Sequence, residues 1–200
     1  MKVENLRSLV GTAGTKVGTF LFEFTTPGIG HILKAAGADF AVLDMEHTGF
    51  SFDTVRGVVR YCQAAGLPLV VRVPSQQRHH ISRALDTGAD GVMVPIVSSV
   101  EQAKAVLDAA KYWPDGTRGV ALGLAHERFA ARSEPLLSRF AEQNARTARK
   151  HKKSVGRLSV DAKQGARFAA MGYDFVSIAG DVWLLQQAFA TGAATVRNGT

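Results

Sequence analysis

Ala35-Ala36-Gly37-Ala38-Asp39-Phe40-Ala41-Val42-Leu43-Asp44 is the stretch whose reading decides the fold. A helix end meets a glycine able to take the left-handed cap conformation. A short turn follows, then an apolar run suited to a buried strand. The pattern returns. Ala64-Ala65-Gly66-Leu67-Pro68 precedes Leu69-Val70-Val71-Arg72. Asp86-Thr87-Gly88-Ala89-Asp90 precedes Gly91-Val92-Met93-Val94-Pro95, and Ala170-Met171-Gly172-Tyr173-Asp174 precedes Phe175-Val176-Ser177-Ile178-Ala179. Helix and strand alternate, and the strands are near-continuous apolar runs. Both signs predict an α/β fold of parallel strands covered by helices.

Six strands are expected, over 16–22, 40–44, 69–73, 91–95, 154–158 and 175–179. Between them, Val55, Val58, Val59 and Cys62 keep the spacing of one buried helix face, as do Val100, Ala103, Leu107 and Ala110. Asp161-Ala162-Lys163-Gln164 has the form of a capping-box helix start, and Asp181 is placed to cap the helix that follows it. The repeat has a gap. Its glycines fall at 37, 66 and 88 and then not until 172, and no convincing apolar strand lies between Gly119 and Ser154. An eight-stranded (β/α) barrel takes about 250 residues. The 200 residues here read as one barrel-type domain, 1–200, with about six of eight units and a piece absent near 140–150. A smaller open sheet of six strands is the structural alternative.

Composition narrows the function classes. The apolar fraction is 46% and the charged fraction 20%, enough for a sizeable core. The single cysteine, Cys62, falls on an apolar helix face and leaves no internal disulfide or Cys-based zinc cluster. No apolar run approaches the roughly 20 residues that span a bilayer, and Met1-Lys2-Val3-Glu4-Asn5 lacks the form of a signal peptide, so a cytoplasmic protein is expected. The net charge is +7. Much of it sits in Arg146, Arg149, Lys150, Lys152 and Lys153, read as a solvated face. No aromatic residues interleave there to stack bases, so no nucleic-acid partner and no membrane partner is expected.

The chemistry gathers at Asp44-Met45-Glu46-His47, two carboxylates and an imidazole just past a buried strand. Polar groups at the carboxyl ends of parallel strands are where α/β enzymes place their chemistry. Arg72 ends another apolar run, where a guanidinium needs an anion or a carboxylate. Glu46 is left open between a structural hydrogen bond and a role in the site. His79, His80 and His126 lack metal-ligand spacing with any acidic partner, and Gly116 and Gly119 read as a loop rather than a phosphate cradle.

The chain resembles the HpcH/HpaI aldolases, metal-dependent pyruvate aldolases. The resemblance rests on Leu43-Asp44-Met45-Glu46-His47 with Asp53 downstream, Val71-Arg72-Val73-Pro74, Ala84-Leu85-Asp86-Thr87-Gly88-Ala89, Val94-Pro95, Gly116-Thr117-Arg118-Gly119 and Gly180-Asp181-Val182-Trp183-Leu184-Leu185. Each is weak alone; their order and spacing together are specific. The resemblance implies a (β/α)8 TIM barrel assembled as a homo-oligomer, of hexamer or trimer type. It implies reversible cleavage of a 4-hydroxy-2-oxo acid to pyruvate and an aldehyde, with a divalent metal (Mg, Mn or Co) as cofactor. Arg72 would bind substrate and stabilise the enolate. His47, held by Asp44, would serve in proton transfer, with Asp86 supporting it. The family's metal-ligating glutamate and aspartate have no match here, and Glu134 and Glu142 are not substitutes, so the metal ligands are unknown. A Schiff-base route finds no lysine after a strand end. A catalytically impaired homologue that keeps the fold for assembly or ligand binding is the alternative.

Overall fold

The structure is a computed structural model that describes residues 6–9, 15–121, 123–129, 136–178 and 181–199. Glu134, Gly180 and the side chain of Asp181 lie outside the described residues. The chain divides into two compact units, Met1–Ala131 and Arg132–Thr200.

In the first unit a short helix α1 (Leu6–Leu9) precedes β1 (Gly18–Leu21), α2 (Ile29–Ala35), β2 (Phe40–Asp44), α3 (Phe52–Ala65) and β3 (Leu69–Arg72). Then come α4 (Arg78–Asp86), β4 (Gly91–Met93) and α5 (Val100–Ala110). The four strands pair in parallel in the order β1-β2-β3-β4. Alternation within each strand sorts the side chains. Leu21, Ala41, Leu43, Leu69 and Val71 join Val55, Val58, Val59 and Cys62 of α3 in the buried core. Burial, and secondarily the nearby Asp90, push the Cys62 thiol up to about 12, which makes it inert packing. β3 and β4 end earlier than expected, at Arg72 and Met93; Pro74 and Pro95 follow two residues later and cannot donate to a ladder.

The α5 face departs from expectation. Val100 and Leu107 are exposed, as is Ala103, while Ala109 is buried and Val106 and Ala110 pack on the core. Polar contacts accompany this rotation. Arg78 of α4 pairs with Asp108 (3.1 Å), and Thr117 donates its hydroxyl hydrogen to Asp108 (2.6 Å), which turns that edge of α5 toward α4. Periodicity finds an apolar stripe but cannot choose between two that share one helix.

In the second unit α6 (Leu136–Lys150) precedes β5 (Gly156–Ser159), α7 (Ala162–Met171), β6 (Phe175–Ile178) and α8 (Asp181–Asn198). β5 and β6 pair in parallel. Their core is small: Ala141, Ala145, Phe168 and Tyr173, with the Tyr173 hydroxyl donating to the Ala141 carbonyl (3.0 Å). Asp161 caps α7 by accepting from the Gln164 N–H (2.7 Å), while the Gln164 side chain accepts from the Val160 N–H (2.9 Å), one residue earlier than a strict capping box.

The repeated turns behave as their residues predict. α3 closes on Gly66 (φ 65) and α7 on Gly172 (φ 90), both left-handed, where a Cβ would be strained. The aspartate after the glycine has its own task. Asp39 accepts from the Val17 N–H (2.8 Å), Asp90 from Leu69 (2.9 Å) and Asp174 from Val155 (2.8 Å). Each returns its own N–H to the carbonyl of the same residue. This two-way staple ties the entry of one strand to the entry of its neighbour; in the first unit it lies at the end of the sheet opposite Asp44. No described helix is long and apolar enough to cross a membrane.

Candidate active site

Asp44 and Arg72 are the last residues of β2 and β3, and the sheet register pairs them directly. Paired positions in a parallel sheet put both side chains on one face. The Arg72 Nε donates to Asp44 Oδ1 at 2.5 Å, with the Asp44 side chain 0% exposed and that of Arg72 18%. Asp44 takes more donors: its Oδ1 accepts from the Glu46 N–H (3.0 Å) and its Oδ2 from the His47 N–H (3.0 Å). Thr48 closes the turn by donating its hydroxyl hydrogen to the Asp44 carbonyl (2.5 Å). The Asp44 side chain therefore holds the backbone of the turn and the guanidinium together.

These contacts set the charge states. Burial pushes the Asp44 carboxyl up, but the Arg72 hydrogen bond, the two backbone N–H groups and the guanidinium charge outweigh it and leave it below the usual aspartate value. The bond to Asp44 raises Arg72 against partial desolvation. Arg72 also lies 4.9 Å from the Phe20 ring centroid, and Phe20 stacks on Phe22 at 5.3 Å.

His47 carries the most accessible polar side chain of the group, 66% exposed, with Nε2 3.6 Å from Glu46 Oε2. That same Glu46 oxygen lies 3.4 Å from the Arg72 Nε, and the Glu46 side chain is 15% exposed. The carboxylate beside the imidazole is thus Glu46, while Asp44 engages only the His47 backbone. Asp44, which the resemblance sets to hold His47, meets it through the backbone N–H. Glu46 lies in the turn beyond the end of β2, where strand alternation no longer applies and sequence alone leaves its direction open.

Asp86 stands elsewhere. It ends α4, which leads into the amino end of β4, whereas Asp44 and Arg72 stand at carboxyl ends. There Asp86 accepts from Arg118 Nη2 (2.5 Å) and Nε (3.2 Å), and the Arg118 guanidinium covers the Tyr112 ring at 4.8 Å. Within this chain Asp86 anchors the 112–118 loop and does not meet His47. Asp53 is exposed in the first turn of α3, 3.5 Å from Arg56. His80 Nδ1 is hydrogen-bonded to Ser75 Oγ (2.9 Å), and no three His, Cys, Asp or Glu side chains converge on a cation position among the described residues.

The cluster itself does not fit a divalent ion. Such an ion needs several free oxygen or nitrogen donors. Both Asp44 oxygens are occupied, and the Glu46 oxygen that faces the cluster is shared between the Arg72 guanidinium and the His47 ring. What the cluster offers is an anion site. The Nη groups of Arg72 have no hydrogen-bond partner among the described residues, so a guanidinium anchored at Nε presents its outer edge.

Comparison with known proteins agrees in kind. The family model of the HpcH/HpaI aldolase/citrate lyase domain matches residues 17–138. A 2-dehydro-3,6-dideoxy-6-sulfogluconate aldolase of Pseudomonas putida is 38% identical over 105 residues, 52% of this chain and 41% of that protein. A 2-keto-3-deoxy-L-rhamnonate aldolase of Klebsiella pneumoniae is 30% identical over 162 residues, 76% of this chain and 58% of that protein. The chain thus spans well under two thirds of the length of these relatives. The solved structure of an HpcH/HpaI aldolase from Desulfitobacterium hafniense aligns with a TM-score of 0.61 at 24% identity, covering 96% of each chain. That likeness shows the fold: parallel (β/α) units of a partial barrel.

Proposed function

The chain belongs to the HpcH/HpaI aldolase/citrate lyase family, and on that premise we propose that it acts in the reversible cleavage of a 4-hydroxy-2-oxo acid to pyruvate and an aldehyde. The observation that carries the reading is the outer edge of Arg72. A buried carboxylate holds its Nε, and its Nη groups are left for an incoming anion. A 2-oxo acid brings a carboxylate and, on cleavage, an enolate oxygen. In the cleavage direction the C3–C4 bond breaks and its electron pair becomes the pyruvate enolate. The proton of the C4 hydroxyl leaves to the His47 imidazole, and C3 then takes up a proton to give pyruvate. The guanidinium offsets the enolate charge, and Asp44 orients the guanidinium. An exposed imidazole suits the proton transfer because histidine exchanges protons near neutrality.

The resemblance also implies a divalent ion. The described residues do not supply its ligands, and the steps above are carried by Arg72, Asp44 and His47 alone. A role for Asp86 in supporting His47 has no contact behind it in this chain. The reading includes one barrel-type domain shortened near 140–150, homo-oligomeric assembly and a cytoplasmic setting.

A second reading, a catalytically impaired homologue that keeps the fold to bind a ligand or assemble, is favoured by the absence of a convergent cation-ligand set among the described residues. Pyruvate release from a 4-hydroxy-2-oxo acid, measured with Mn²⁺ and again with chelator, separates the two. Release abolished by Arg72→Ala supports the aldolase reading. No release under any metal condition overturns it in favour of the second. Intact mass tests the gap near 140–150: a species near 21.4 kDa fits a deletion there, and a heavier one fits an omitted segment.

A further inference from the structure

We infer that Glu46 is a positioning residue that sets the spacing between the anion-binding guanidinium of Arg72 and the imidazole of His47, an inference that rests on the proposed site. One oxygen, Glu46 Oε2, lies 3.4 Å from Arg72 Nε and 3.6 Å from His47 Nε2. Asp44 cannot do the same work, because its two oxygens are taken up by Arg72 and by the backbone N–H groups of residues 46 and 47. The turn that Asp44 and Thr48 close sends the Glu46 side chain inward, 15% exposed, while the next side chain, His47, is 66% exposed. At 3.6 Å the contact with the imidazole is longer than a hydrogen bond. Glu46 Oε2 therefore stands between the ring and the guanidinium, and its charge partly offsets that of Arg72.

This double contact has a signature that a merely structural residue lacks. Removing the charge while keeping the shape should act on the two neighbours in opposite directions. Glu46→Gln frees Arg72 from one of two carboxylates, so an anion binds it more tightly. The same change releases the imidazole, so proton transfer slows.

The test uses the full chain, metal-free, with oxalate as a planar stand-in for the pyruvate enolate, titrated by calorimetry beside steady-state pyruvate release. Glu46→Gln is expected to bind oxalate about threefold to fivefold more tightly, the scale of one partly exposed ion pair. Its kcat is expected to fall at least ~tenfold through lost orientation, with KM falling too. Glu46→Asp restores the charge one methylene short; oxalate affinity should return toward that of the unaltered chain while kcat stays low. Weaker or unchanged oxalate binding by Glu46→Gln overturns the inference, as does a parallel loss of affinity and kcat. If the unaltered chain binds oxalate but never turns over, the aldolase reading fails and the oxalate titration still decides the role of Glu46. If the unaltered chain binds no oxalate, the inference falls, and pyruvate release alone decides the aldolase reading.

Discussion

The β1–β2 pair and the β5–β6 pair are built on one plan and end in different surroundings. In each, a glycine opens the first strand opposite a phenylalanine that opens the second: Gly18 faces Phe40, and Gly156 faces Phe175. In each, the aspartate before that phenylalanine staples the residue before that glycine. The strands then part company. Ala41, Val42 and Leu43 of β2 are buried, while Leu158, Phe175 and Ile178 are 47%, 68% and 55% exposed. Local hydrogen bonds suffice to pair two strands and set their register, but burial depends on what packs on the pair. β2 lies between two further strands and shares a buried core with α3, whereas β6 has one strand beside it among the described residues. The polar site belongs to the buried pairing, because a carboxylate at the end of a strand with no second neighbour would meet water instead of Arg72.

The strongest blow to this contrast is Asp44→Ala. It leaves Arg72 and two backbone N–H groups without their buried acceptor, and should lower the unfolding free energy by about 3–5 kcal/mol. Urea denaturation checks it; a loss under about 1 kcal/mol would mean that the pair does not hold the site together. Leu43→Ala comes next, at about 2–5 kcal/mol, since Leu43 is fully buried against α3. The matched changes Phe40→Ser and Phe175→Ser sharpen the comparison most directly. The half-buried Phe40 should cost about 1–3 kcal/mol and the exposed Phe175 at most about 0.5 kcal/mol. Equal costs would erase the difference between the two pairs.

The pH dependence is smaller and has a definite sign. Because Asp44 is held below its ordinary value of 3.8, the unfolded chain binds its proton first as the pH falls. Its contribution is complete above that value and is lost as the pH drops through the lower folded one. Unfolding free energies measured from about pH 5 to about pH 2 should show this loss, and Asp44→Asn should flatten it.

Much of the plan was legible because it is written in neighbouring residues. Glycines at 66 and 172 mark helix ends, since few other residues adopt the left-handed turn, and apolar runs after them mark strands. Asp44, His47 and Arg72 stood out as polar groups closing such runs. The α5 face differs from the expected one because a helix with two apolar stripes does not record which will meet the core, and Arg78 and Thr117, which contact Asp108, lie outside α5. Asp86 lies before β4 as its place in the sequence implies, but spacing along the chain does not say which partner, here Arg118, a carboxylate will meet.

By itself the sequence determined the alternation of helix and strand, the parallel sheet and the carboxyl-end position of its charged residues, since each is written in the residue pattern of successive segments. Only the tertiary structure decided that Asp44 faces Arg72, that Glu46 rather than Asp44 lies beside the imidazole, and that one strand pair is buried and its twin is not. Those outcomes depend on register and on packing between segments far apart in the chain, for which local sequence carries no direct record.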